Sequence, residues 1–206
     1  MGAPCSVTLA WTGASGMPYG VRLLEQLLLA GVDVNLLVSS AAQVVAKQEL
    51  NWIIPSRAEA LQTQLTARWP DATGAVRVYG REEWFAPMAS GSNPADAMVV
   101  CPCTMGSLAS IAQGLSDNLI ERAADVSIKE RRPLILVPRE TPFSVLHLEN
   151  MLKLARMGVI ILPPNPGFYH LPTSIADMVD FVVARVLDQL HVPHELMQRW
   201  GSGCAA

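Results

Sequence analysis

Charge is scarce in this chain: 16% of its 206 residues are Asp, Glu, Lys or Arg, and the net charge is −3. That excludes a nucleic-acid binder working through a general basic surface, although a local basic patch can still hold a phosphate. With 50% of the residues hydrophobic, the shortage of charge also implies apolar surface buried between copies of the chain. Cysteine and histidine are few, four of each. Cys101 and Cys103 flank the end of an apolar strand and no Cys/His pair completes a ligand set, so no metal is expected. Nor are disulfides, in a reduced compartment. No apolar run is long and clean enough to span a membrane. The stretch 97–115 is interrupted by Pro102, Thr104, Ser107, Ser110 and Gln113. Met1 to Pro4 lacks the basic start of a secretion signal, and the formal myristoylation pattern there leads straight into a strand. The expectation is a cytoplasmic protein with neither membrane nor nucleic acid as partner.

Apolar runs alternate with helical periods along the chain. Strands are expected at 7–11, 32–38, 76–79, 97–101, 134–137 and 159–162. Helices are expected at 19–29, 41–49, 107–111, 119–130, 147–157 and 175–190. The pattern predicts an α/β protein of flavodoxin-like or Rossmann-like class, with a parallel sheet covered by helices on both faces. All of 1–206 reads as a single domain, with loops and a mobile flap at about 51–94 and a short tail at 201–206. In such sheets ligands sit outside the carboxyl ends of the strands. That rule selects 13–16, 39–40, 101–107 and 138–141.

Each of these segments has both a chemical and a plain structural reading. Gly13 and Gly16 allow close backbone approach and Ser15 can cap the next helix, which suits an anion or simple packing. Thr104 and Ser107 offer hydroxyls around Gly106, or an ordinary helix cap. The run Lys129-Glu130-Arg131-Arg132 ends a helix, where cations meet the carbonyl end of the dipole. Arg139-Glu140 follows a buried strand, where a guanidinium suits phosphate and a carboxylate suits proton transfer. Arg185 lies on an otherwise apolar helix and pairs with Asp188, reaches solvent or serves a site. Trp84, Tyr169 and Trp200 are candidate ring faces for an allyl cation, with core packing as the alternative.

Several ordered runs resemble the flavin prenyltransferase family of UbiX type. They are Thr12-Gly13-Ala14-Ser15-Gly16, Tyr19-Gly20-Val21-Arg22, Cys101-Pro102-Cys103, Asp117-Asn118-Leu119 and Arg122-Ala123-Ala124-Asp125. Lys129-Glu130-Arg131-Arg132-Pro133-Leu134, Pro138-Arg139-Glu140-Thr141-Pro142, His147-Leu148-Glu149-Asn150 and Pro166-Gly167-Phe168-Tyr169-His170 complete the set. The resemblance implies a metal-independent transferase that attaches a dimethylallyl group to FMN, in trimers and commonly dodecamers with sites between subunits. It implies FMN contacts from Gly13, Ala14, Ser15, Ser39, Thr104, Met105, Gly106, Ser107 and Arg139. Dimethylallyl phosphate falls to Ser90, Gly91, Lys129, Arg139, Tyr169 and Arg185, with Trp84 and Trp200 beside it. Glu49 and Glu140 handle protons, Ser15 lies near flavin N5, and a UbiD-type decarboxylase receives the product. The segment 51–94 departs from the family pattern. The rivals are an FMN-dependent decarboxylase of cysteine type, whose active-site histidine and Pro-Ala-Ser-Ala-Asn-type run are missing, and a non-enzymatic flavin carrier.

Overall fold

The computed structural model describes residues 2–198; Trp200 and the tail lie outside the described residues. Six strands form one parallel sheet: β1 (Ser6–Trp11), β2 (Asp33–Val38), β3 (Val76–Tyr79), β4 (Ala97–Cys103), β5 (Leu134–Pro138) and β6 (Ile160–Ile161). Their order is β3-β2-β1-β4-β5-β6, the doubly wound arrangement in which the direction of winding reverses between β1 and β4. This is the flavodoxin-like, Rossmann-like α/β class expected from the alternation of runs.

Helices α1 (Met17–Leu29), α2 (Ser40–Leu50), α3 (Ala58–Arg68), α4 (Met105–Gln113), α5 (Leu119–Lys129), α6 (Val145–Arg156) and α7 (Ile175–Leu190) connect and flank the strands. Side chains alternate across a strand, so Leu9 and Trp11 join Leu24 of α1 and Val186 of α7 in one core. Ala10, Met98 and Val100 face the opposite core, with Leu108 of α4 and Ala123 and Ala124 of α5. Each fully buried Leu or Val contributes roughly 1.5–3 kcal/mol relative to exposure, and both faces are filled this way.

Three features differ from the sequence expectation. Helix α3 occupies part of the stretch read as loops. Its buried anchors are Leu61 and Leu65, one turn apart in an otherwise polar run, which gives little amphipathic signal. Helix α4 begins at Met105 and α6 at Val145, each two residues early, because Thr104 and Ser144 are the N-caps. Ser15 does not cap α1: the N-cap is Gly16, at φ 120°, which has no side chain of its own to cap with.

Candidate active site

The carboxyl ends of β1, β2 and β4 are joined by hydrogen bonds that the sequence did not reveal. Thr12 at the end of β1 is buried. Its hydroxyl donates to the Pro102 carbonyl at 2.7 Å and accepts from the Thr104 N–H at 2.8 Å. Ser39 N–H donates to the Trp11 carbonyl at 3.0 Å, and its side chain caps α2 by accepting from Ala42 N–H at 3.1 Å. Thr104 caps α4 by accepting from Ser107 N–H at 3.0 Å, while its hydroxyl donates to Ser107 Oγ at 2.9 Å. Gly13 lies against Ala41 at the start of α2. Two capped helix starts and a glycine loop therefore face one region at the switch point of the sheet.

Helix α2 follows β2, and its last turn meets the start of α1. There Glu49 accepts N–H bonds from Gly16 at 3.0 Å and Met17 at 2.8 Å. A carboxylate on the unsatisfied N–H groups of a helix start is favoured by both hydrogen bonding and the dipole. It replaces the side-chain cap expected of Ser15, which is exposed. Tyr19, one turn into α1, has its phenol pKa raised by burial first, then by Cys101 and by the negative field of Glu49. Burial pushes the Cys101 thiol up, and that of Cys103 up to about 12. Both sit inside β4 as neutral packing groups.

Arg139 leaves β5 beside Thr104, its N–H donating to the Cys103 carbonyl at 3.2 Å. Its guanidinium is exposed and makes no ion pair with the described residues. Glu140 is half-buried and accepts from Thr141 N–H at 3.1 Å. Gly13, Ala14, Ser15, Ser39, Glu49, Thr104, Met105, Gly106, Ser107, Arg139 and Glu140 thus all belong to the carboxyl end of the sheet. Tyr169, in the loop after β6, lies on the same side of the molecule. It is edge-on to Phe181 at 5.8 Å and to His170 at 5.7 Å. Trp84 is 45% exposed in the loop after β3.

The remaining candidates lie elsewhere. Lys129 closes α5 just before β5 begins, whereas Arg139 follows the end of that strand. A strand rises ~3.3 Å per residue, so β5 and its flanks hold the two roughly 20 Å apart within one chain. Ser90 and Gly91 accompany Lys129. A Cβ on Gly91 would collide with the Lys129 ammonium and the Glu130 carboxylate. Arg122 fixes that loop to α5, donating to the Ala89 carbonyl at 2.9 Å and pairing with Asp125 at 2.9 Å. Arg185 is on the exposed face of α7, paired with Asp188 at 2.7 Å. Of the three readings open for it, the pairing is present. Thr12, Tyr19 and Arg122 stand in runs that resemble the family, but their contacts could not be read there, since their partners are remote or main-chain groups.

Hollows of about 410 and 330 Å³ at the amino ends of the strands, both lined by Arg131, Arg132 and Pro133, touch none of these residues. Among the described residues no cluster of His, Cys, Asp and Glu could hold a metal ion, and no helix is long and apolar enough to cross a membrane.

The flavoprotein family model matches residues 3–187. A flavin prenyltransferase UbiX of Pseudomonas aeruginosa is 53% identical over 201 residues, 98% of this chain and 96% of that one. Among solved structures, a dodecameric FMN-dependent Ubix-like decarboxylase from Escherichia coli O157:H7 is 40% identical with a TM-score of 0.84, covering 96% of this chain and 100% of that one. AnUbiX (PadA1), solved in complex with FMN and dimethylallyl pyrophosphate, is 39% identical with a TM-score of 0.85, covering 97% and 98%.

Proposed function

The chain belongs to the flavoprotein family and, within it, to the flavin prenyltransferases of the UbiX type; from that premise we propose that it joins the dimethylallyl group of dimethylallyl phosphate to N5 and C6 of reduced FMN. FMN is the acceptor substrate, prenylated FMN the product, and a UbiD-type decarboxylase in the cytoplasm the recipient. The presence of both FMN and dimethylallyl pyrophosphate in the AnUbiX structure supports this pairing of ligands.

The carboxyl end of the sheet fits a flavin mononucleotide. A Cβ on Gly106 would meet only the Thr104 hydroxyl, at 3.8 Å, which leaves room for a ligand over the start of α4. Hydroxyls of Ser15, Ser39 and Ser107 and the helix starts beside them offer donors to an anion, with Thr104 holding Ser107 in place by its own hydroxyl. Arg139, with no counter-ion among the described residues, is suited to take phosphate. Reduced FMN supplies a nucleophilic nitrogen. The allylic carbon–oxygen bond breaks as the N5–carbon bond forms, and Lys129, Arg139, Arg185 and Tyr169 stabilise the departing phosphate. Closure onto C6 adds a proton to the allylic double bond and removes one from C6, and Glu49 and Glu140 are the proposed carriers of these protons. Trp84 and Trp200 complete the substrate pocket in this reading.

One observation carries the arrangement: Lys129, Ser90 and Gly91 lie at the amino end of the sheet, far from Arg139 in the same chain. We propose that each site combines the carboxyl end of one copy with the amino end of another. The dodecameric relative supports a homo-oligomer, here built from trimers into a dodecamer. So do the exposed apolar residues of this chain, among them Val145, Leu146, Leu171 and Ile175, at 69–81% exposure. The activity is tested by anaerobic incubation with reduced FMN and dimethylallyl phosphate, followed by mass analysis of the flavin. A gain of one prenyl unit is expected; unmodified flavin from a folded, FMN-loaded protein would refute the activity.

A further inference from the structure

Two of the three cations assigned above to the substrate phosphate already hold a carboxylate of their own chain. Lys129 is in contact with Glu130, and Gly91 is so close to both that no side chain fits between. Arg185 donates to Asp188 Oδ2 at 2.7 Å, while Asp188 Oδ1 is 3.2 Å from His194 Nε2. Arg139 alone of the three has no ion pair with the described residues. The paired side chains are 45% and 36% exposed for Lys129 and Glu130, and 50% and 31% for Arg185 and Asp188. Pairs this open to water are weak and are readily exchanged for a dissolved anion.

Resting on the proposed function, we propose that Glu130 and Asp188 are resident counter-ions that determine which leaving group the site accepts. In the empty site they hold Lys129 and Arg185 in place. A phosphate displaces them, but each carboxylate stays tethered within a few bonds of its cation and repels added negative charge. Each carboxylate offsets the charge of the cation it holds, so the attraction available to added negative charge at Lys129 and Arg185 is reduced. A monophosphate ester brings up to two negative charges and a diphosphate one more, so the carboxylates disfavour the diphosphate. They also reclaim their cations after transfer, which speeds departure of free phosphate. No bond to either carboxylate is made or broken.

This role predicts a gain of binding, which a merely structural role would not give. The experiment uses the FMN-loaded oligomer in its parental form and as Glu130→Gln, Glu130→Asp and Asp188→Asn. Inorganic phosphate is titrated by calorimetry, and kcat/KM is measured with dimethylallyl monophosphate and diphosphate. Glu130→Gln and Asp188→Asn should bind phosphate roughly two- to fivefold more tightly, the range expected for an exposed ion pair. Their preference for monophosphate over diphosphate should fall by a similar factor, while Glu130→Asp behaves as the parent. Unchanged or weaker phosphate binding in both neutral variants would overturn the proposal. If the parent transferred no prenyl group the functional reading would fail, and the phosphate titration would still decide the counter-ion claim.

Discussion

Glu49 in the last turn of α2 accepts the backbone N–H of Met17 at 2.8 Å, so the carboxylate of one helix closes the start of another. The contact fixes the Gly13–Gly16 turn against α2 and gives Glu49 a structural task beside the proton transfer proposed for it. The two roles separate by substitution. Glu49→Ala removes every acceptor, and a lost helix cap typically costs ~1 kcal/mol of stability. Glu49→Gln keeps one acceptor oxygen and should lose less. Proton transfer is lost in both, which typically lowers the rate ~10²–10⁴-fold. Thermal unfolding, FMN titration and a prenylation time course distinguish the roles. A Gln variant that prenylates at the parental rate would leave Glu49 as a cap alone.

Cys101 and Cys103 should resist thiol reagents. Burial raises both thiols, Cys103 to about 12, so the reactive thiolate is rare at pH 8. Cys5 is exposed. In a Cys204→Ser background, a maleimide should label one cysteine of the native protein at pH 8 and the other two only on unfolding. Rapid labelling of all three in the folded state would contradict the buried packing of β4.

The start of α7 should weaken in acid through Asp177. Its carboxylate accepts from Thr173 N–H at 2.7 Å, Thr173 Oγ1 at 3.0 Å and Ser174 N–H at 3.0 Å. These bonds, led by that from the Thr173 backbone, hold its pKa at about 2 against an ordinary 3.8. The unfolded chain takes up this proton first as pH falls, so the stabilisation is complete above pH ~4 and disappears through pH ~2. Asp177→Asn should therefore be less stable than the parent at pH 7, with the difference shrinking between pH ~4 and ~2. A difference that stayed constant over that window would show that charge is not involved.

Much of the scaffold is legible in the sequence. The reading 175–190 coincides with α7, because apolar residues recur at helical spacing after a Ser174 cap. Asn118 likewise marks the start of α5. Leu61 and Leu65 alone could not announce α3, whose tertiary contact with β3 supplies what the pattern lacks. The Glu49 cap was hidden because its acceptor lies 33 residues from Gly16. Sequence runs could name Lys129 and Arg139 together, but only the strand between them reveals that they leave opposite ends of the sheet. Local patterns encode the elements; which of them meet is a property of topology.

The shared site is tested most directly by complementation. Lys129→Ala spoils the amino-end half and Arg139→Ala the carboxyl-end half, and each alone should lose most prenyl transfer. The two variants are co-expressed with different tags, mixed oligomers are isolated through both, and prenylated flavin is measured per bound FMN. With random assembly about a quarter of the sites receive both intact halves, one from each of two copies. The mixture should therefore recover roughly that fraction of parental activity. Activity no higher than the mean of the two parent variants would contradict a site built between copies.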